Sequence, residues 1–350
     1  MASMKRMLVL YRELAGYFVN NMNYLANEHN VSIDIVAYPV KSDAPFQFQW
    51  SDKVTLYSRK VCDLSGIQSL IDTNSYDLIF VGGWADEDYI SIVKKNQRIP
   101  ALLGFDKQWE GGIKDLARLL KLRLTVNPYF KYAFVPGELQ VTFAKAIGFS
   151  SQQIFTGAYT CDTAFFKRIY EKRPAPNTRV KRFVYAGRYA PEKDIQRLWQ
   201  VFKRLRKNHP EIELHCMGTG PLWEARDRSE GIFHHGFCQG EQLESIMLNG
   251  DVFILPSIYE PWGVVVNEFC VSGYPILLSD KIGARTALLS SNGSLFEAAN
   301  DESMMVSMQE ALSWSAEELA AYQQKSHQLG MALDEKQYAE AILQMAGAKS

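Results

Sequence analysis

Compact apolar runs alternate along this chain with stretches whose apolar residues return every three to four positions. Arg6–Tyr11 is nearly continuous in apolar residues and reads as a strand, whereas Gly16–His29 has the spacing of a helix. Residues 31–38 and 76–81 repeat the strand pattern, the second ending at Gly82-Gly83, and 99–104 repeats it again. Between them, 67–73 and 86–96 read as helices. This alternation predicts a parallel sheet with helices on both faces. A second series begins with a strand at Arg182–Ala186, a helix at 194–208 and a strand at 212–217, with further strands at 251–255 and 275–278. No repeat of fixed period and no low-complexity tract interrupts either series.

The character changes between the two series. Residues 167–181 carry Lys167-Arg168 and then Glu171-Lys172-Arg173-Pro174-Ala175-Pro176-Asn177, charged and proline-containing, as a linker would be. The expected organisation is an N-terminal Rossmann-like domain at 1–166, the linker at 167–181 and a C-terminal Rossmann-like domain at 182–330. A last helix, apolar on one face over 335–345, follows in 331–350. The fold class is α/β, with two domains facing each other across a cleft where two substrates can meet.

Composition supports this and removes other classes. A chain of 350 residues exceeds one ordinary core, and 47% apolar with 22% charged residues is an average globular mixture. The net charge of −1 argues against nucleic-acid binding, which depends on neutralising many phosphates. The five cysteines, Cys62, Cys161, Cys216, Cys238 and Cys270, are widely spaced and form no Cys-x-x-Cys pair, which suggests reduced thiols in the cytoplasm. The apolar run at 7–11 is too short for a signal peptide, and no segment reaches the about 18 apolar residues of a membrane span. Met4 is an alternative start, with Met1-Ala2-Ser3 ahead of it.

The densest chemistry lies at Pro256-Ser257-Ile258-Tyr259-Glu260-Pro261-Trp262-Gly263-Val264-Val265-Val266-Asn267-Glu268. Val252–Leu255 reads as a short buried strand, the next residues to Gly263 as a loop, and Val264 onward as a helix. A helix opening after a loop glycine offers unpaired N–H groups and a positive dipole end, both suited to a phosphate. Glu260 then lies at the loop rim and Glu268 about two turns deeper, within reach of another part of the same ligand. A second cluster, Gly187-Arg188-Tyr189-Ala190-Pro191-Glu192-Lys193, follows a strand directly. Its Arg and Lys can converge on a diphosphate, the Arg in bidentate fashion.

The glutamate pair, with seven residues between Glu260 and Glu268, resembles the signature of retaining glycosyltransferases of the GT-B fold, family 4. Ser257, Glu260, Gly263, Glu268, Gly273 and Pro275 fall where that family usually has the same residues. The Gly187-Arg188…Glu192-Lys193 segment is similar to its diphosphate-cradling motif, and Gly218-Thr219-Gly220-Pro221 to its Gly-x-Gly-Pro turn. His234-His235-Gly236-Phe237-Cys238 corresponds to the stretch where backbone groups meet the base. The resemblance implies that Arg188 and Lys193 stabilise the leaving diphosphate, aided by the Gly263-Val264-Val265 amides. It also implies that Glu260 orients the donor sugar and Glu268 bonds the ribose. Gly187, Gly218, Gly220, Phe237, Cys238 and Trp262 would complete the donor site. No metal and no cofactor are expected, the nucleotide-diphosphate sugar being the donor substrate.

The resemblance thins toward the N-terminus. Leu14-Ala15-Gly16-Tyr17-Phe18 has one glycine where relatives carry a glycine-rich loop, and Phe105-Asp106-Lys107-Gln108-Trp109 lacks the usual His. Asp106, Lys107 and Trp109, with Gly82, Gly83 and Trp84, follow strand ends, where α/β proteins bind ligands. Asp106 and Trp109 are therefore the acceptor-side candidates. Tyr159 stands where the family has Asn, ahead of Asp162, which reads as a structural cap.

The expected function is transfer of a sugar, with retention, to a hydroxyl of a saccharide or lipid-linked acceptor in surface polysaccharide or glycolipid synthesis. Alternatives are a non-catalytic sugar-nucleotide-binding protein, a GT-B epimerase, and a metal-dependent GT-A transferase using the Asp-x-Asp at Asp86 and Asp88. The bland reading of that last motif is two acids at a helix start. Residues 114–124 are basic and leucine-rich. Lys114, Arg118 and Lys121 share one face, either as peripheral contact with the inner face of a membrane or as an ordinary solvated face over buried leucines.

Overall fold

The computed structural model describes residues 4–40, 46–109, 113–175 and 179–347; Met1-Ala2-Ser3 and part of the expected linker, 176–178, lie outside them. The described residues divide into two compact units. One holds the chain up to Asp162 together with the segment from Asp334, and the other runs from Thr163 to Leu333.

The first unit is built on seven parallel strands: β1 (Arg6–Tyr11), β2 (Ser32–Ala37), β3 (Val54–Ser58), β4 (Leu78–Gly82), β5 (Ala101–Gly104), β6 (Tyr132–Val135) and β7 (Ile154–Thr156). Their spatial order is β3-β2-β1-β4-β5-β6-β7. Helices α1 (Gly16–His29), α2 (Leu64–Thr73), α3 (Glu87–Lys95), α4 (Ile113–Thr125) and α5 (Glu138–Ala146) connect them. The pleat of β1 shows why its run is apolar throughout. Met7, Val9 and Tyr11 join a core with Phe18, Met22 and Leu25 of α1, while Leu8 and Leu10 join Ile90, Val93 and Leu119 in another. A strand covered on both faces has no polar side to alternate.

The second unit has six parallel strands: β8 (Arg182–Ala186), β9 (Glu213–Met217), β10 (Ile232–Gly236), β11 (Val252–Leu255), β12 (Ile276–Ser279) and β13 (Gly293–Phe296), in the order β10-β9-β8-β11-β12-β13. Its helices are α6 (Thr163–Lys172), α7 (Ile195–Arg206), α8 (Glu241–Asn249), α9 (Val264–Val271), α10 (Arg285–Leu288), α11 (Asp301–Ser313) and α12 (Ala316–Met331). The last helix, α13 (Glu335–Gly347), belongs to the first unit, where Tyr338, Ala339, Ile342 and Met345 are buried in the same core as α1. Two parallel sheets, each with helices between its strands, make this the GT-B architecture of two Rossmann-like domains.

The charged segment expected to be a linker has a different local structure over its first part. α6 runs through Lys167 to Lys172, with Phe166 and Ile169 buried, so its charges are the outer face of an amphipathic helix. Arg173 sits 3.8 Å over the Tyr274 ring and donates to the carbonyls of Met247 and Gly250. The second unit therefore begins at Thr163 and ends at Leu333, ahead of the boundaries drawn from composition at its start and beyond them at its end.

Candidate functional site

The strand order of the second unit reverses between β8 and β11. Connections leave these neighbours in opposite directions, which makes this the topological switch point, the usual ligand position in a doubly wound sheet. Both leading sequence motifs sit on these two loops. After β8 come Gly187 and Arg188, then a 3₁₀ turn over Pro191–Lys193. After β11 come Ser257, Glu260, Trp262 and Gly263, and then α9.

Backbone bonds hold the two loops together. The amides of Ile258 and Tyr259 both donate to the Glu192 carbonyl, at 3.0 and 3.4 Å. Across this joint the Lys193 ammonium forms an ion pair with the Glu260 carboxylate, with the side chains 18% and 13% exposed. Such partial burial strengthens the attraction beyond that of a solvated pair and fixes both groups. The loop after β12 supports Glu260 from the other side: Gly283 donates to the Glu260 carbonyl at 2.9 Å and Ala284 to that of Trp262 at 2.9 Å. Arg188 is exposed on the β8 loop, and the Tyr185 phenol donates to its carbonyl at 3.0 Å.

The loops after β9 and β10 join the same assembly. Gly187 donates to Met217 at 3.0 Å, Tyr189 to the Thr219 carbonyl at 2.8 Å, and Gly218 to the Gly236 carbonyl at 2.6 Å. Gly218 has φ +124°, and a Cβ there would lie 2.0 Å from the Gly187 carbonyl oxygen, so no other residue fits. Gly220 lies against Tyr189, while Phe237 and Cys238 follow β10 and are half-buried. Burial pushes the Cys238 thiol up to about 11, which leaves it protonated and unreactive at neutral pH. His234 and His235 do not pair with each other. The His234 Nε2–H donates to the Asp227 carbonyl at 2.7 Å, leaving Nδ1 to accept from the Tyr189 hydroxyl at 2.8 Å. His235 Nε2 lies 3.0 Å from His215 Nδ1 instead.

Gly263 is the N-cap of α9 and takes φ +94°, the turn that aims the first helical amides, including those of Val264 and Val265, out of the helix. Glu268 lies further along α9 and is half-buried. Trp262 corrects an expectation. At 1% exposure its ring is part of the core and cannot line the crevice. Its indole N–H, and the buried Ser257 hydroxyl on the same loop, have no hydrogen-bond partner among the described residues.

The first-unit candidates lie on a separate sheet. Asp106 follows β5, and Trp109 is 38% exposed, whereas Trp84 packs on Phe105 and Phe143 and has a structural role. Asp86 caps α3, accepting from the amides of Asp88 and Tyr89 at 3.1 and 3.3 Å, and Asp88 pairs with Arg59 at 2.6 Å. The rival GT-A fold is thus overturned by the two-sheet architecture, and both acids of its motif have structural partners. Three tyrosines went unread as a group. Tyr11 at the end of β1, Tyr17 on α1 and Tyr159 beyond β7 lie together, with the Tyr17 and Tyr159 rings 5.3 Å apart. Burial pushes the Tyr11 phenol up to about 12, against hydrogen bonding from Tyr17 and Tyr159 and with Asp106 adding to the rise. Nothing in linear spacing groups these residues; the departure of Tyr159 from the family's Asn was the one visible signal.

Residues 166–328 match the family described as glycosyl transferases group 1. Over 121 residues, 32% of the chain, the protein is 26% identical to an uncharacterized glycosyltransferase of Bacillus subtilis, covering 34% of that relative. Over 98 residues, 27% of the chain, it is 33% identical to the sulfoquinovosyl transferase of Arabidopsis thaliana, covering 18% of that protein. The chain thus spans about a third or less of the length of these relatives. Solved structures match the fold almost end to end. A sucrose-phosphate synthase from Thermosynechococcus elongatus aligns with TM-score 0.75 at 14% identity, covering 99% of this chain and all of that one. An Escherichia coli trehalose-6-phosphate protein, solved with UDP-2-fluoro glucose, aligns with TM-score 0.75 at 10% identity over the same shares. The segment that bears every donor-site candidate from Gly187 to Glu268 therefore matches the group 1 glycosyl transferases, within a chain that has the GT-B fold throughout.

Proposed function

We propose that the protein is a retaining, metal-independent glycosyltransferase of the family 4 type, which moves a sugar from a nucleotide-diphosphate donor to a hydroxyl of a saccharide or lipid-linked acceptor. The observation that supports this is the ion pair of Lys193 with Glu260 between the two loops of the β8–β11 switch point, with Arg188 on the first loop and the N-terminus of α9 following the second. That position suits a nucleotide. The charges there suit a diphosphate, and a carboxylate held against an ammonium suits the donor sugar beside it.

In this reading the α9 amides and Arg188 hold the diphosphate, and Lys193 neutralises the charge that grows on it as the glycosidic bond breaks. Lys193 is pre-positioned by Glu260, so little reorganisation accompanies the reaction. Glu260 accepts hydrogen bonds from the donor sugar and Glu268 from the ribose hydroxyls. The acceptor hydroxyl attacks the face the diphosphate leaves, and its proton passes to a donor phosphate oxygen, so no side chain serves as nucleophile.

The test is a thermal-shift and calorimetric screen of UDP-, GDP-, ADP- and dTDP-sugars, with and without EDTA, on wild type and Glu268→Ala. One nucleotide class should raise the midpoint with or without chelator, and the substitution should weaken it at least tenfold. A requirement for a divalent ion, or no response to any class, overturns the assignment. Binding without transfer or slow donor hydrolysis would make the chain a sugar-nucleotide sensor.

A further inference from the structure

Helix α4 has two faces with different fates. Leu119 and Leu122 are 6% and 4% exposed and join the core of the first unit. Leu116, Leu120 and Leu124, spaced by four residues, are instead 57%, 59% and 65% exposed. At 100° per residue these three form a stripe about 80° wide, centred well over 90° from the buried pair. The leucine-rich sequence therefore does more than cover a core: beside the buried Leu119 and Leu122 it forms an outward apolar ridge. Lys114, one of the cations assigned to this helix, has a side chain outside the described residues.

One exposed leucine needs no explanation, but three in line do. The ridge is bordered by charge of one sign. Arg123 lies beside Leu116 on one flank and Lys121 beyond Leu124 on the other, both exposed, and residues 116–125 contain no acid. The chain as a whole has net charge −1, so this basic character is local. A partner that meets an apolar ridge with a cation on each side must offer an apolar interior below a layer of negative charge, which is the chemistry of an anionic lipid surface. No helix among the described residues is long and apolar enough to cross a membrane, so contact through α4 would lie in the interfacial plane.

We propose that α4 docks on anionic bilayers, with Leu116, Leu120 and Leu124 at the acyl boundary and Lys121 and Arg123 among the headgroup phosphates. This stands apart from sugar transfer and is tested without it. The full chain is sedimented with vesicles of phosphatidylcholine alone and of phosphatidylcholine mixed with phosphatidylglycerol. The protein should pellet with the mixed vesicles, and Leu116→Gln/Leu120→Gln/Leu124→Gln should abolish this. Lys121→Gln and Arg123→Gln should each weaken it about fivefold. Because all five side chains face solvent, the variants should keep the wild-type melting midpoint and nucleotide-sugar response. Failure of wild type to pellet with the mixed vesicles, or equal pelleting of the triple leucine variant, overturns the proposal. So does leucine-dependent dimerisation in sedimentation velocity without vesicle binding, which would assign the ridge to a second copy of the chain.

Discussion

Gly218→Ala is the sharpest probe of how the second unit builds its crevice. The new Cβ would fall 2.0 Å from the oxygen and 2.9 Å from the carbon of the Gly187 carbonyl, where ordinary contact begins near 3.4 Å. Both obstacles are backbone, so relief requires the β8 and β9 loops to separate by more than an ångström. That movement strains or breaks the Gly187–Met217 and Gly218–Gly236 bonds, at about 1 kcal/mol each. A residue with a side chain held at φ +124° adds about 1–3 kcal/mol. The expected loss is about 3–5 kcal/mol, or a fall in melting midpoint of roughly 6–20 °C for a unit of this size. Displacing Arg188 by about an ångström should also lower transfer roughly a hundredfold. The control is Gly236→Ala, also at positive φ (+72°) but with its nearest obstacle 3.8 Å away, which should cost only the backbone strain, about 1 kcal/mol. Scanning calorimetry and donor titration on both variants decide the matter. If Gly218→Ala melts no lower than Gly236→Ala and binds donor equally well, the loops are not locked together as described.

Three further outcomes are expected. A double-mutant cycle of Lys193→Met and Glu260→Gln, read by urea unfolding, should give a coupling of about 1–3 kcal/mol, between the ranges for exposed and buried pairs; additive single effects would refute the pairing. Asp86→Ala should destabilise by about 1 kcal/mol through loss of the α3 cap while leaving donor binding in EDTA intact; abolished binding in a folded variant would refute the purely structural role of Asp86. His234 is held neutral, burial lowering its pKa against the opposing Asp227 carbonyl, so the unfolded chain takes up its proton first. Its contribution to stability is present above about pH 6.5 and is lost as pH falls, so His234→Gln should flatten the decline in melting midpoint between about pH 7 and 5. An unchanged slope would refute that assignment.

The strands that position the crevice were legible because burial marks runs such as RFVYA and VFIL as strands covered on both faces. β3, largely exposed at a sheet edge, and β7, only three residues long, lack that signal and went unread, as did β10, β13 and the fully buried but four-residue β6. α6 was mistaken for a linker because its charges are local in sequence while the partners of Arg173, near Met247 and Tyr274, are distant. Within the site, Gly187, Arg188, Lys193, Glu260 and Gly263 could be named from motif and spacing. The roles of Glu192 and Gly283 could not, since each acts through a backbone group that any residue type would supply. Trp262 was misplaced for the converse reason: aromatic identity says nothing about which side of a loop a ring occupies.

The placement of α13 bears on the order in which the protein can be made. The core of the first unit includes Tyr338, Ala339, Ile342 and Met345, more than 300 residues after the β1 strand they help cover. A ribosome releases the chain from its N-terminus, so the first unit emerges early with the α13 side of its core uncovered. The second unit, continuous from Thr163 to Leu333, can close before α13 arrives. The earlier half to be translated is therefore the later to be finished, and the apolar surface of α1 must stay out of aggregates through the synthesis of everything between.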